Sequence, residues 1–289
     1  VTDNREIDEI TGQETTGHEW DGIKELNSPL PRWWLWTFYI TIVWSVGYWI
    51  AMPAIPLVSD YTRGVLGYSQ RTAVHEQIAD AYAAQGAYRT RIEEASLEEI
   101  QDIPELFEFA MAGGRSAFAV NCSQCHGAGG AGAPGYPNLN DDAWVWGGSL
   151  DRIYEIIRVG IRSEHPDTLF NVMPAFLKDE ILERQQVDAV VEYVLQRSGQ
   201  EHDATAAAAG REVYVEQCAA CHQESGKGDP ELGAPNIVDA IWLYGGSREE
   251  IWNTVANARN GVMPNWDDKL APIVRKQLAT YVHALGGGE

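Results

Sequence analysis

An internal duplication constrains this chain more than any other feature. Residues 113–127 read GGRSAFAVNCSQCHG, and residues 209–223 read AGREVYVEQCAACHQ. The match continues in order. YPNL (136–139) answers APNI (234–237), WVWGGSLDRI (144–153) answers WLYGGSREEI (242–251), VMPAF (172–176) answers VMPNW (262–266) and EYVLQ (192–196) answers TYVHA (280–284). Self-similarity at a fixed spacing means one structural unit used twice. The copies are expected at 106–199 and 205–289, joined where Gly199 and the alanines after Thr205 relax the pattern.

Each copy reads as helical. Gly114-x-x-x-Phe118 and Gly210-x-x-x-Tyr214 suit a helix that meets another closely at its glycine. Ser149 and Ser247 are predicted N-caps, the latter completing a capping box with Glu250, for helices running to about Val159 and Ala258. Val187, Val190, Val191 and Val194 in one copy, and Leu278 and Val282 in the other, have the spacing of a buried helical face. Alternating β-branched runs are few, so sheet is not expected to matter. Residues 60–105 are polar and mixed, and are expected to form a partly helical spacer with a helix near 70–95.

The four cysteines all fall in two C-x-x-C-H motifs, Cys122-Ser-Gln-Cys125-His126 and Cys218-Ala-Ala-Cys221-His222. This is the pattern for covalent attachment of c-type haem. Two thiols three residues apart can bond the two vinyl groups on one haem edge, and the next His then reaches the iron. Zinc would need a fourth ligand at matching spacing, and the remaining histidines do not recur in register. A redox CxxC would not need the His. Two covalently bound haems are therefore expected.

Of four methionines, Met173 and Met263 recur in register, each in Val-Met-Pro, 47 and 41 residues after the motif histidines. They are the candidate sixth ligands, giving His126, Met173, His222 and Met263 as the iron set. By default each copy closes on itself; the repeat also permits an exchange of methionine loops. The carbonyls of Pro137 and Pro235 are candidate acceptors for the second ring nitrogen of each His, the alternative being that these prolines only shape the loop. Trp144, Trp146, Trp242 and Tyr244 either wall the haem pockets, reaching propionates through N–H or O–H, or pack the core.

Upstream, the 27-residue run Trp33–Ser59 carries no charge between Arg32 and Asp60. It is long enough to span a bilayer, for which ~20 apolar residues suffice. Its tryptophans and tyrosines suit a headgroup region, so membrane lipid is an expected partner. A signal peptide fits badly behind a 32-residue polar tail. The formal charge of −21 argues against nucleic acid, which requires basic clusters. The same charge would attract a basic soluble protein.

Taken together, each copy resembles a class I cytochrome c domain, with a terminal helix carrying Tyr193 or Tyr281. The whole chain, including DGIKELNSPLPRWW ahead of the apolar run, resembles the dihaem CcoP/FixP subunit of cbb3-type cytochrome c oxidases. The resemblance implies a mainly α protein with one N-terminal transmembrane helix and two tandem cytochrome c domains. Residues 1–32 would be a cytoplasmic tail, 33–59 the span of a bacterial inner-membrane protein, and the haem domains periplasmic. It further implies a subunit that is not an enzyme on its own. Electrons would come from a soluble c-type cytochrome and pass to a monohaem cytochrome c subunit, then to a catalytic subunit with haem b and copper. A dihaem anchor of a periplasmic dehydrogenase is the alternative. A dihaem peroxidase would need an open iron position, and a haem sensor would need an output domain.

Overall fold

The computed structural model describes residues 5–286 and divides the chain into two compact units, Val1–Ala84 and Gln85–Glu289. Residues 1–4 of the expected tail and 287–289 of the second copy lie outside the described residues.

In the first unit, β1 (Thr15–Trp20) pairs antiparallel with β2 (Ile23–Leu26), with Trp20 opposite Ile23. Asp21 and Gly22, at φ 51° and 85°, make the turn. Asp-Gly is favoured in two-residue hairpins because both positions need positive φ. The helix α1 (Arg32–Ala51) follows and buries none of its residues. Its serine and threonine hydroxyls bond back into the helix: Thr37 to the Trp33 carbonyl (3.0 Å), Thr41 to Phe38 (2.8 Å) and Ser45 to Thr41 (2.7 Å). By mean hydropathy, no helix among the described residues is long and apolar enough to cross a membrane. Seven of the 20 residues of α1 are Trp or Tyr, whose polar N–H and O–H groups pull that mean down. The unit ends with α2 (Gln70–Ala84), which also has no buried residue.

The second unit begins with α3 (Gly86–Glu94) and α4 (Leu97–Asp102). These lie in the stretch expected to be spacer, yet Ile92 and Ile100 are fully buried in a core with Leu106, Ala110 and Ile273. Only two isoleucines and a leucine mark that stretch as core, too few to give a period. Ser96 and Glu99 cap α4 reciprocally. Then come α5 (Pro104–Asn121), α6 (Ser123–His126), α7 (Leu150–Val159) and α8 (Arg184–Arg197) of the first copy. The second copy contributes α9 (Ala204–Gln217), α10 (Ala219–His222), α11 (Arg248–Asn257) and α12 (Pro272–His283). The capping at Ser149 and Ser247 is as the sequence predicts.

The copies interlace. α12 packs on α5 and α7, while α8 packs on α9 and α11. One core joins Phe118, Leu150, Ile153 and Ile157 to Leu278, Ala279, Tyr281 and Val282. The other joins Val187, Val190, Val191 and Val194 to Tyr214, Ile251 and Val255. Each terminal helix thus fills the groove of the opposite copy. The glycines explain the closeness: a Cβ on Gly114 would overlap the Gln277 carbonyl, and one on Gly210 the Ala189 carbonyl. Phe118 then meets Tyr281 at 5.4 Å between ring centroids, and Tyr193 meets Tyr214 at 5.1 Å.

Candidate haem-binding sites

Each CxxCH begins where a helix runs out. Cys122 caps α5, its N–H bonded to the Phe118 carbonyl, and Cys218 caps α9 in the same way on Tyr214. One further turn carries the second cysteine and the histidine. Cys125 and Cys221 are exposed, while Cys122 and Cys218 are partly covered, and all four thiols are free. Burial, with a smaller contribution from the neighbouring cysteine, pushes the Cys122 and Cys218 thiols up to about 11.

The histidines are oriented identically. Nδ1 of His126 lies 3.1 Å from the Pro137 carbonyl, and Nδ1 of His222 lies 3.0 Å from that of Pro235. A carbonyl only accepts, so Nδ1 carries the proton and donates, leaving the Nε2 lone pair free. Burial lowers the pKa of both imidazoles, and the carbonyls oppose that shift in part. A neutral ring with Nε2 unprotonated is the state a metal requires.

The methionine loops lie on the opposite copies. Met263 exchanges both backbone hydrogen bonds with Ile161, each 3.0 Å, at the end of α7, and Trp266 N–H reaches the Ile157 carbonyl at 3.1 Å. The thioether side chain of Met263 belongs to the core that includes Cys122. Met173 is held through its main chain by the Asn260 amide, which accepts at 3.1 Å and donates at 3.2 Å, just past α11. Phe176 N–H bonds the Val255 carbonyl at 3.1 Å, and Met173 belongs to the core that includes Cys218. The structure therefore places Met263 in the core that includes Cys122, and Met173 in the core that includes Cys218.

Among the aromatic candidates, Trp144 packs in the first core and Trp242 in the second. Trp146 and Tyr244 cross over: Trp146 lies against Gly233, in the loop after the second CxxCH, and Tyr244 lies against Gly135 in the loop after the first. Gly135 N–H donates to the Leu243 carbonyl at 2.7 Å. No repeat or motif pointed to Asp267, which pairs with Arg275 of α12 and stands 3.4 Å from His165, tying the Met263 loop down. Neither partner recurs in the other copy.

These residues fit c-type haem. Each motif offers two free thiols beside an imidazole whose Nε2 is unpaired, with a soft thioether on the neighbouring loop. Nε1 of Trp144 is buried without an acceptor. Such a group costs ~1–3 kcal/mol unless satisfied, and a haem propionate is an acceptor of the right kind.

Two family models match the chain. One, described as the N-terminal domain of cytochrome oxidase-cbb3, FixP, covers residues 12–59. The other, cytochrome c oxidase, cbb3-type, subunit III, matches twice, at 109–194 and 205–282. The cbb3-type cytochrome c oxidase subunit FixP of Azorhizobium caulinodans is 51% identical over 284 residues, spanning 98% of this chain and 96% of that protein. Subunit CcoP of Azospirillum brasilense is 50% identical over 292 residues, 99% of each chain. Subunit CcoP of Cereibacter sphaeroides is 48% identical over 276 residues, 95% of each. With matches of this extent across both copies and the segment ahead of them, the chain belongs to the subunit III family of cbb3-type cytochrome c oxidases.

Proposed function

We propose that this chain is the dihaem electron-relay subunit of a cbb3-type oxidase, with each iron ligated by the histidine of one copy and the methionine of the other. The observation that carries the reading is the doubled constellation: CxxCH, a proline carbonyl on Nδ1 and a methionine loop from the opposite copy, built twice within one compact unit. Cys122 and Cys125 would hold one haem, and Cys218 and Cys221 the other. When bound, each haem supplies a one-electron carrier. His126 and His222 present Nε2, fixed in direction by Pro137 and Pro235. Met263 and Met173 present neutral thioethers, which favour the reduced iron and raise the potential. The packed cores exclude water, and Trp144 stands ready for a propionate.

The chain supplies no catalytic group of its own in this reading. A soluble c-type cytochrome delivers electrons, which leave towards the monohaem and catalytic subunits. The apolar run containing α1 is the single anchor in the bacterial inner membrane. Its lack of charge and its internally bonded hydroxyls support that role, since backbone and side-chain polar groups in a bilayer must be satisfied within the helix. The haem-bearing unit lies on the periplasmic side. Membership of the oxidase family removes the ground for the dehydrogenase alternative.

The test replaces Met173 with His and follows both haems by spectroelectrochemistry. One potential falls and the other stays. If the haem that moves is the one retained in a Cys122→Ala background, the crossed ligation holds. If it is the one retained in a Cys218→Ala background, each copy closes on itself.

A further inference from the structure

Arg162 sits just beyond the end of α7, in a left-handed backbone conformation (φ 51°) that residues with side chains seldom adopt. Its Nε donates to the Gly261 carbonyl at 2.7 Å, and its Nη1 donates to the Asn171 carbonyl at 2.8 Å. Gly261 stands two residues before Met263, and Asn171 two residues before Met173. The two acceptors are equivalent positions of the repeat. One guanidinium therefore spans both methionine loops, at the junction of the two interlaced halves.

The surroundings reinforce the bridge. The guanidinium lies 6.0 Å from the ring centre of Trp146, which is itself buried. Gly261 is held from its other side, its N–H donating to the Tyr244 hydroxyl at 3.2 Å. Counting from the ends of α7 and α11, the second copy has Asn260 at this position. Its short amide reaches only the main chain of Met173. The bridge is thus an asymmetric addition to a symmetric repeat.

We propose that Arg162 is a positioning residue shared by both haem sites, setting the two methionine loops in one register and placing a common positive charge between them. The inference rests on the reading that Met173 and Met263 are the axial ligands. Guanidinium suits the task because its donors form a rigid fork that can serve two acceptors at once, whereas an ammonium is a single point of donation. A partly buried cation, less screened than an exposed one, opposes further positive charge on either iron. Both effects act in the same direction, favouring the reduced state at both sites.

The experiment uses the full-length, haem-loaded protein. Met173→His and Met263→His backgrounds each leave one sulfur–iron near-infrared band, so that each site is read separately. Arg162→Gln is expected to lower the potential of the remaining Met-ligated haem in both backgrounds. Every tenfold loss of preference for the reduced state reads as about 59 mV in a one-electron couple. Arg162→Lys keeps the charge but not the fork, and is expected to recover part of the shift at both sites. It is also the decisive variant should Arg162→Gln fail to load haem. Arg259→Gln serves as control, because that guanidinium contacts the ring and carbonyl of Tyr244 in its own copy, and it is expected to move one site at most. A shift confined to one site in Arg162→Gln, or full restoration of both by Lys, overturns the proposal. If the parent protein shows no sulfur–iron band, the axial-ligand reading itself has failed.

Discussion

Leu278 offers the sharpest test of the interlaced architecture. It lies on α12, in the second copy, yet is fully buried among Phe118, Ile153 and Ile157 of the first. Truncation to Ala removes three carbons, worth about 2.4 kcal/mol of transfer free energy at ~0.8 kcal/mol each. The cavity left behind adds to this, and measured Leu→Ala costs run ~2–5 kcal/mol. At roughly 2–4 °C per kcal/mol for a unit of 150–250 residues, the melting temperature should fall by about 5–15 °C. The informative readout is local. In a Met173→His background the surviving sulfur–iron band reports the Met263 site, and Leu278→Ala should make that band disappear at lower temperature. In a Met263→His background, the band of the Met173 site should move much less. The reasoning is refuted if Leu278→Ala weakens the Met173 site more, since Leu278 would then pack within its own copy.

Two further outcomes are expected. Cys122→Ala and Cys218→Ala should each leave at most one covalent haem, as measured by haem staining of the denatured chain. A chain beginning at Gln85 should remain in the supernatant after ultracentrifugation while carrying two haems, whereas the full-length protein should sediment with membranes; retention of the shorter chain in the pellet would locate the membrane contact in the second unit.

The repeat and the candidate haem motifs were legible because covalent haem attachment has a pattern of fixed residues at fixed spacing. Cys122, Cys125, His126 and their counterparts sit where a helix ends and one more turn begins, and the repeat makes the register plain. The close approach at Gly114 and Gly210 was also readable, since a conserved spacing to an aromatic in both copies has a steric reason. What the sequence hid was which copy each terminal helix meets. Val187, Val190 and Val191 on α8 form an apolar face that would fit either α5 or α9, because those two helices are copies of one another. Periodicity identifies a buried face but carries no address. The burial of Ile92 and Ile100 was hidden for a different reason: two short helices with one or two buried apolar residues each present no period, and their partner Ile273 lies far along the chain.

The linker supplies the missing address. Only Ser198–Asp203 separate α8 from α9, and helices joined by so short a loop pack as antiparallel neighbours. Asp203 caps α9 through the Thr205 and Ala206 N–H groups, while its own N–H is held by Glu192 of α8, so the turn is fixed from both sides. Arg248 of α11 bonds the same Glu192, at 2.5 Å, and also the Glu201 carbonyl, drawing the second copy onto this hairpin. Once α8 is committed to α9, the groove of α5 is left open, and α12, built on the same pattern as α8, is the element able to fill it. Exchange is then the local solution rather than an exotic one: the nearest helix in sequence takes the nearest groove. Its consequence for the proposed haem sites is that neither core is built from one copy alone. Loosening α12 would disturb the site of the first CxxCH, and loosening α8 that of the second, so each site depends on a helix of the opposite copy.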